Sequence, residues 1–82
     1  MKARVVVTLK SGVLDPQGKA IEGALRSLAI EGVDSVRQGK IFEIELAAAS
    51  PEAARKTLGE ACERLLANTI VENYAIEIVD GR

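Results

Sequence analysis

Between Leu9 and Leu25 the chain reads LKSGVLDPQGKAIEGAL, and Pro16 near its centre leaves this stretch few conformations to choose from. Proline fixes its own φ and disfavours the helical region for the residue before it, so Asp15 is driven towards an extended conformation. Gly12 and Gly18 on either side can take backbone angles closed to other residues. A carboxylate just before a proline is also a helix cap, because it accepts from the free amides of the first turn while proline suits the first helical position. Two helix starts fit, one at Asp15 and a later one at Gly18. On these residues alone, a plain cap and a docking loop explain Asp15 and Pro16 equally well.

The rest of the chain arranges itself around that junction. From Ala3 to Lys10, Val5, Val7 and Leu9 alternate with Arg4, Val6 and Thr8, as in a strand with two distinct faces. After the loop, Ala20, Ile21, Ala24, Leu25 and Leu28 recur at helical spacing, with Glu22, Arg26 and Ser27 pointing elsewhere, until Gly32. Val33 to Gln38 reads as a short strand, Gly39 and Lys40 as a tight turn, and Ile41 to Ala47 as the hairpin partner. Ser50, Pro51 and Glu52 open a second helix with a hydroxyl cap, a proline and an acid at the positive end of the dipole. Its apolar stripe is Ala54, Leu58, Ala61, Cys62, Leu65 and Leu66, its outer face pairs Glu52 with Lys56 and Glu60 with Arg64, and Asn68 suits a left-handed terminator. A last strand alternates Tyr74, Ile76 and Ile78 with Ala75, Glu77 and Val79 before the polar tail Asp80, Gly81 and Arg82.

The order βαββαβ predicts an α+β fold: a two-layer, ferredoxin-like sandwich with an antiparallel four-stranded sheet and two helices on one face. Residues 1–82 make one domain. The helix-free face carries Val6, Thr8, Glu43, Glu45, Ala75, Glu77 and Val79, a mixture less polar than a fully wet face requires, which points to a contact surface.

A chain of 82 residues buries only roughly 60–65% of the surface its unfolded form exposes, so association with a second copy or a partner would help it. One Cys and no His leave neither a disulfide network nor a metal site as a substitute, and Cys62 falls on the apolar helix stripe as packing. A formal charge of −1, with acids and bases interspersed, argues against nucleic acid as a partner. No apolar segment is long enough to cross a bilayer, and the first residues enter an alternating strand instead of a leader, so the expectation is a cytoplasmic protein with no membrane partner.

The topology hosts many activities, and the residues decide among them. An acylphosphatase-like site needs an arginine and an anion cradle after the first strand, where this chain has Asp15. A metallochaperone of this topology needs paired cysteines there. An RNA-recognition module needs strand aromatics, and Phe42 and Tyr74, both expected inward, are the only rings. No nucleophile stands beside a base, so the chain is not expected to be catalytic by itself. Two classes remain: a non-catalytic subunit that holds larger subunits together, and a small-molecule-sensing regulatory module of the same fold. Lys40 could meet a phosphate or a carboxylate, or simply be solvated. Glu72 and Asn73 occupy a loop position suited to recognition, Asn68 reads as a terminator, and Tyr74 reads as core with a hydroxyl near the surface.

Three stretches together resemble PurS, the small subunit of phosphoribosylformylglycinamidine synthase. They are GVLDPQG from Gly12 to Gly18, followed by Lys19, Ala20 and Ile21; Val36, Arg37, Gln38, Gly39 and Lys40, similar to a VRxGK turn; and CERLLANTIVENY from Cys62 to Tyr74. They span most of the chain in the right order. The departures are mild: Ile70 and Val71 stand where many members carry Val-Ile, and Asn73 stands where Asp is frequent.

The resemblance implies a subunit of an ATP-dependent, glutamine-dependent ligase of purine biosynthesis. That enzyme converts formylglycinamide ribonucleotide to formylglycinamidine ribonucleotide. It implies a homodimer or higher homo-oligomer that bridges the synthetase subunit PurL and the glutaminase subunit PurQ and supports ammonia transfer between them. The complex would use ATP, Mg and glutamine, with none of them bound by this chain alone. Carried onto this sequence, the partner-contact candidates are Leu14, Asp15, Pro16, Gln17 and Gly18 in the first loop, Gly39 and Lys40 in the hairpin, and Asn68, Glu72 and Tyr74 near the end.

Overall fold

Val5 and Val7 are completely buried and Ala3 nearly so, because alternation puts all three on the side of strand β1 (Lys2–Leu9) that receives a helix. β1 is the centre of a three-stranded antiparallel sheet, flanked by β2 (Gly39–Glu45) and β3 (Glu72–Asp80) in the order β2-β1-β3. Val5 stands opposite Phe42 on one side and Ile76 on the other, so one row of apolar side chains crosses the sheet. The structure, a computed structural model, describes residues 1–11 and 13–80. Gly12, Gly81 and Arg82 lie outside the described residues, and with them the expected freedom of Gly12 and the end of the polar tail; Asp80 itself closes β3.

Helix α2 (Pro51–Ala61) covers the sheet as its sequence predicts. Ser50 Oγ accepts from the Ala53 amide at 3.1 Å, Pro51 takes the first position, and Ala54 and Leu58 turn inward. Its continuation, Cys62–Leu66, is a π-helical turn in which the Ala67 amide donates to the Cys62 carbonyl at 3.0 Å. The expected stripe fails at one place. The wider turn keeps Cys62 and Leu66 on the inner side but swings Leu65 out to 82% exposure. Asn68 is not left-handed either, since the only residues with positive φ among those described are Ala29 and Gly32. Ala67, in extended conformation, ends the turn instead.

The other helix, α1 (Pro16–Ser27), departs from expectation more. It makes no packing with the sheet of an extent comparable to that of α2, and the molecule measures 49 × 29 × 14 Å. The Cα radius of gyration is 16.0 Å, whereas a compact chain of this length has one of about 12 Å. The expected four-stranded sheet with both helices on one face is therefore corrected to three strands with one covering helix. Val33 to Gln38 forms no strand, and Gly39–Lys40 is not a hairpin turn but the start of β2.

The physical reason lies in two carboxylates. Asp15 Oδ2 accepts from the Gln38 amide at 2.9 Å, and Glu22 Oε2 from the Val36 amide at 2.8 Å. These bonds pin the returning segment to α1, where it cannot fold back along β2. Arg37 anchors the same segment to the end of β1 by donating to the carbonyls of Leu9 and Lys10. Glu22, expected to point away, is 7% exposed and belongs to the inner face of α1 together with Gly18. Ile21 and Leu28 of the expected stripe are exposed.

Candidate functional site

The loop, the start of β2 and the start of β3 meet at one end of the sheet. Asp15, Pro16, Gln17, Gly39, Lys40 and Glu72 line a shallow groove floored by Thr8 and Leu9. Each wall is positioned by an identifiable contact. Asp15 is held by two amides, Gly18 at 3.0 Å through Oδ1 and Gln38 through Oδ2, so capping α1 and closing the groove are the same interaction. The Asp15 start is thus the one adopted. These two amides, Gln38 first, hold the Asp15 carboxyl below the ordinary carboxylate range, with Arg37 nearby adding to the effect.

Gly18 is required for proximity: a Cβ there would run into the Val36 carbonyl and lie 2.8 Å from Asp15 Oδ2. Gly39 is required in the same way, since its Cβ would stand 2.5 Å from the Val7 carbonyl oxygen and 2.8 Å from Thr8 Cγ2. Across the groove Lys40 Nζ lies 3.8 Å from Glu72 Oε2, and Glu72 Oε1 accepts from the Asn68 amide at 2.6 Å. The Asn68 carbonyl in turn accepts from the amides of Val71 and Glu72, and its side chain from that of Ile70, which makes a closed turn before β3.

Of the ten residues singled out from the sequence, six line the groove and Asn68 braces it through Glu72. Gly18 is buried beneath the groove's rim. Leu14 is exposed and faces a separate hollow shared with Lys19, Ser35 and Arg37. Tyr74 stands apart: its ring packs against the core, and its hydroxyl donates to Glu63 Oε2 at 2.8 Å, which with burial pushes its pKa up.

Sequence reasoning missed Gln38, Arg37 and Glu22. The first two lie inside the VRQGK stretch, where their roles as amide donor and carbonyl clamp carry no local signature. Glu22 had one available signal, a carboxylate four residues after Gly18 on what becomes the same helix face. Val36 and, less, Lys19 lower its pKa.

The groove offers a mixed-charge, largely prearranged surface with an apolar floor. Among the described residues no three His, Cys, Asp or Glu side chains are grouped to hold a metal ion. Cys62 is free and buried, and burial raises its pKa. What this geometry suits is contact with another protein.

Fold and groove together define a small α+β module, an open sheet with a projecting helical arm and a loop held in place by backbone amides. A family model described as "PurS: Phosphoribosylformylglycinamidine (FGAM) synthase" matches residues 2–80, and the chain belongs to the PurS family. The phosphoribosylformylglycinamidine synthase subunit PurS of Synechocystis sp. is 45% identical over 75 residues, 92% of this chain and 75% of that protein. A Bacillus subtilis PurS structure superposes with a TM-score of 0.84 at 42% identity, covering 96% of this chain and 98% of the other. A chain of the PurLQS structure from Thermotoga maritima gives 0.86 at 37% identity, covering 94% and 95%.

Proposed function

We propose that this chain acts as the small, non-catalytic subunit of a phosphoribosylformylglycinamidine synthase in purine biosynthesis. It joins the synthetase subunit PurL to the glutaminase subunit PurQ and supports passage of ammonia between them. The observation that carries the reading is the groove: residues from three separate parts of the chain that resemble family motifs are brought to one end of the sheet and locked there by backbone contacts. A prearranged loop loses little conformational entropy on docking. Ammonia passed between subunits must be kept from bulk water, where it is protonated, and a subunit that seals the junction serves that need without supplying a reactive group.

ATP, Mg and glutamine belong to the large subunits in this reading, and this chain binds none of them alone. It works as a homodimer or higher homo-oligomer, which accords with its elongated shape and exposed apolar residues. No helix among the described residues is long and apolar enough to cross a membrane, and the setting is the cytoplasm, where the substrates of the reaction are.

The test is reconstitution with purified PurL and PurQ. Omitting this chain should abolish glutamine-dependent product while leaving turnover with added ammonia. Gln17→Arg, at an exposed position in the groove wall, should lower glutamine-dependent turnover without altering the circular dichroism of the chain. Full glutamine-dependent turnover without the chain would overturn the proposal.

A further inference from the structure

Large apolar side chains are most exposed at the end of the sheet that carries the groove. Ile70 is 84% exposed, Leu65 82% and Leu14 71%, the highest values for such residues among those described. All three belong to connections at this end: Leu14 follows β1, and Leu65 and Ile70 stand on either side of the turn that leads from the π-helical segment into β3. A single exposed leucine needs no explanation, but two large apolar side chains on one short turn form a patch.

That turn is fastened on both sides. The Ala67 amide closes the π turn on the Cys62 carbonyl, the Asn68 carbonyl takes the amides of Val71 and Glu72, Asn68 Oδ1 takes the Ile70 amide, and Glu72 Oε1 takes the Asn68 amide. An unbroken α-helix would carry Leu65, three positions after Cys62, on the buried stripe. The wider turn keeps Cys62 and Leu66 against the core and gives Leu65 to solvent. Apolar side chains on backbone that is already fixed lose water on docking and little conformational freedom, which suits them to anchor an interface.

The charges around the turn are matched except for one. Arg64 pairs with Glu60 at 3.0 Å and Lys40 with Glu72 at 3.8 Å. Glu63 Oε2 accepts from the Tyr74 hydroxyl, and among the described residues no Lys or Arg forms an ion pair with Glu63. An exposed carboxylate, held in place by Tyr74, therefore stands two residues before Leu65 with its charge uncompensated.

We propose that Leu65 and Ile70 enter an apolar pocket on a larger subunit of the synthase, with a lysine or arginine at the lip of that pocket meeting Glu63. The occupant is a larger subunit and not a second copy for two reasons. Two side chains cannot supply the ~800 Å² per partner that a stable contact buries, so the turn belongs to a wider interface, and the surface it continues into, through Glu72 and Lys40, is the groove. A twofold contact through the turn would also bring both Glu63 carboxylates into one interface with no cation to receive either. The inference rests on the subunit reading above and names the contact that supplies the affinity.

Titrating the full chain into purified PurL and PurQ tests it, with the readout being the chain concentration that gives half-maximal glutamine-dependent turnover. Leu65→Ser and Ile70→Ser should each raise that midpoint about tenfold and the double variant about a hundredfold. Circular dichroism and the light-scattering mass of the isolated chain should stay as they are. Glu63→Gln keeps an oxygen for the Tyr74 hydroxyl and removes the charge, so it should raise the midpoint about threefold at low salt and flatten its salt dependence. An unaltered midpoint in the double variant would overturn the docking, and a Glu63→Gln chain with the salt dependence of the parent would overturn the basic lip. A lower mass for the isolated double variant would assign the turn to a second copy and overturn the proposal too. The unaltered chain keeps the two readings apart: if glutamine-dependent turnover does not need it, the subunit reading fails, whereas a chain that is needed but indifferent to Leu65 and Ile70 defeats only the docking site.

Discussion

The half of the molecule built from β1, β3 and α2 and the arm built from α1 and its return segment are held by opposite means. In the first, Val5, Val7, Ala54, Leu58, Cys62 and Ala67 are buried and hydrophobic burial does the holding. In the arm, the buried side chain is the carboxylate of Glu22, and Leu14, Leu28 and Ile30 face outward. Carboxylate-to-amide bonds fix its shape while its apolar surface stays uncovered. Burial gives stability without direction, whereas hydrogen bonds give direction with modest stability. A small subunit that must hold a projecting element in a set orientation needs the second.

The contrast can be broken by substitution. Leu58→Ala, at 2% exposure, should cost about 2–5 kcal/mol in denaturant unfolding whatever the protein concentration. Leu28→Ala, at 69% exposure, should shift the unfolding midpoint only through its dependence on concentration, as the homo-oligomer proposed above requires. Equal, concentration-independent losses would erase the distinction. Gly18→Ala should destabilise the arm by roughly 1–3 kcal/mol, since the added methyl meets the Val36 backbone and not a yielding side chain; a neutral effect in thermal unfolding would show that the segment is not closely seated.

A smaller effect of opposite sign is expected where α1 ends. Ala29 has φ 59° in a Schellman cap, with its amide on the Arg26 carbonyl and the Ile30 amide on that of Leu25. Ala29→Gly should stabilise the chain by about 0.5–1 kcal/mol, read as a higher melting temperature.

The most local prediction is of pH. Asp15 and Glu22 titrate lower in the folded chain than in the unfolded one. As pH falls below about 4, the unfolded chain takes up these protons first. The clamps contribute fully above the ordinary carboxylate range and are lost as pH drops through the depressed folded values. The amide resonances of Gln38, Gly18 and Val36 should report titrations below the ordinary Asp and Glu midpoints; midpoints at or above them would contradict the clamp.

Much of the first half was legible because its signals are periodic and local. Alternation located β1 and β3, Ser50-Pro51 located α2, and Asp15-Pro16 located the cap of α1, where Asp15 does accept from Gly18. The arm was not legible, because its decisive contacts join residues 14 and 23 positions apart through backbone amides that every sequence possesses. Val33–Gln38 has strand composition and would read as a hairpin arm in any chain lacking Glu22 and Asp15 at those positions. Leu65 escaped for another reason: a π turn changes the period on which stripe arguments rest. The groove was legible as three motifs but not as one place, since only the fold brings Lys40 to Glu72.

β1 stands between both edges and commits its backbone on either side, odd-numbered residues towards β2 and even-numbered ones towards β3. Deuterium can therefore enter its amides only when the sheet as a whole opens, while the outer strands admit it through local events. Uptake at Val5 and Val6 keeps time for global unfolding. Uptake at Ile41 and Glu43, set against that clock, counts how often the outer margin of the sheet is laid bare.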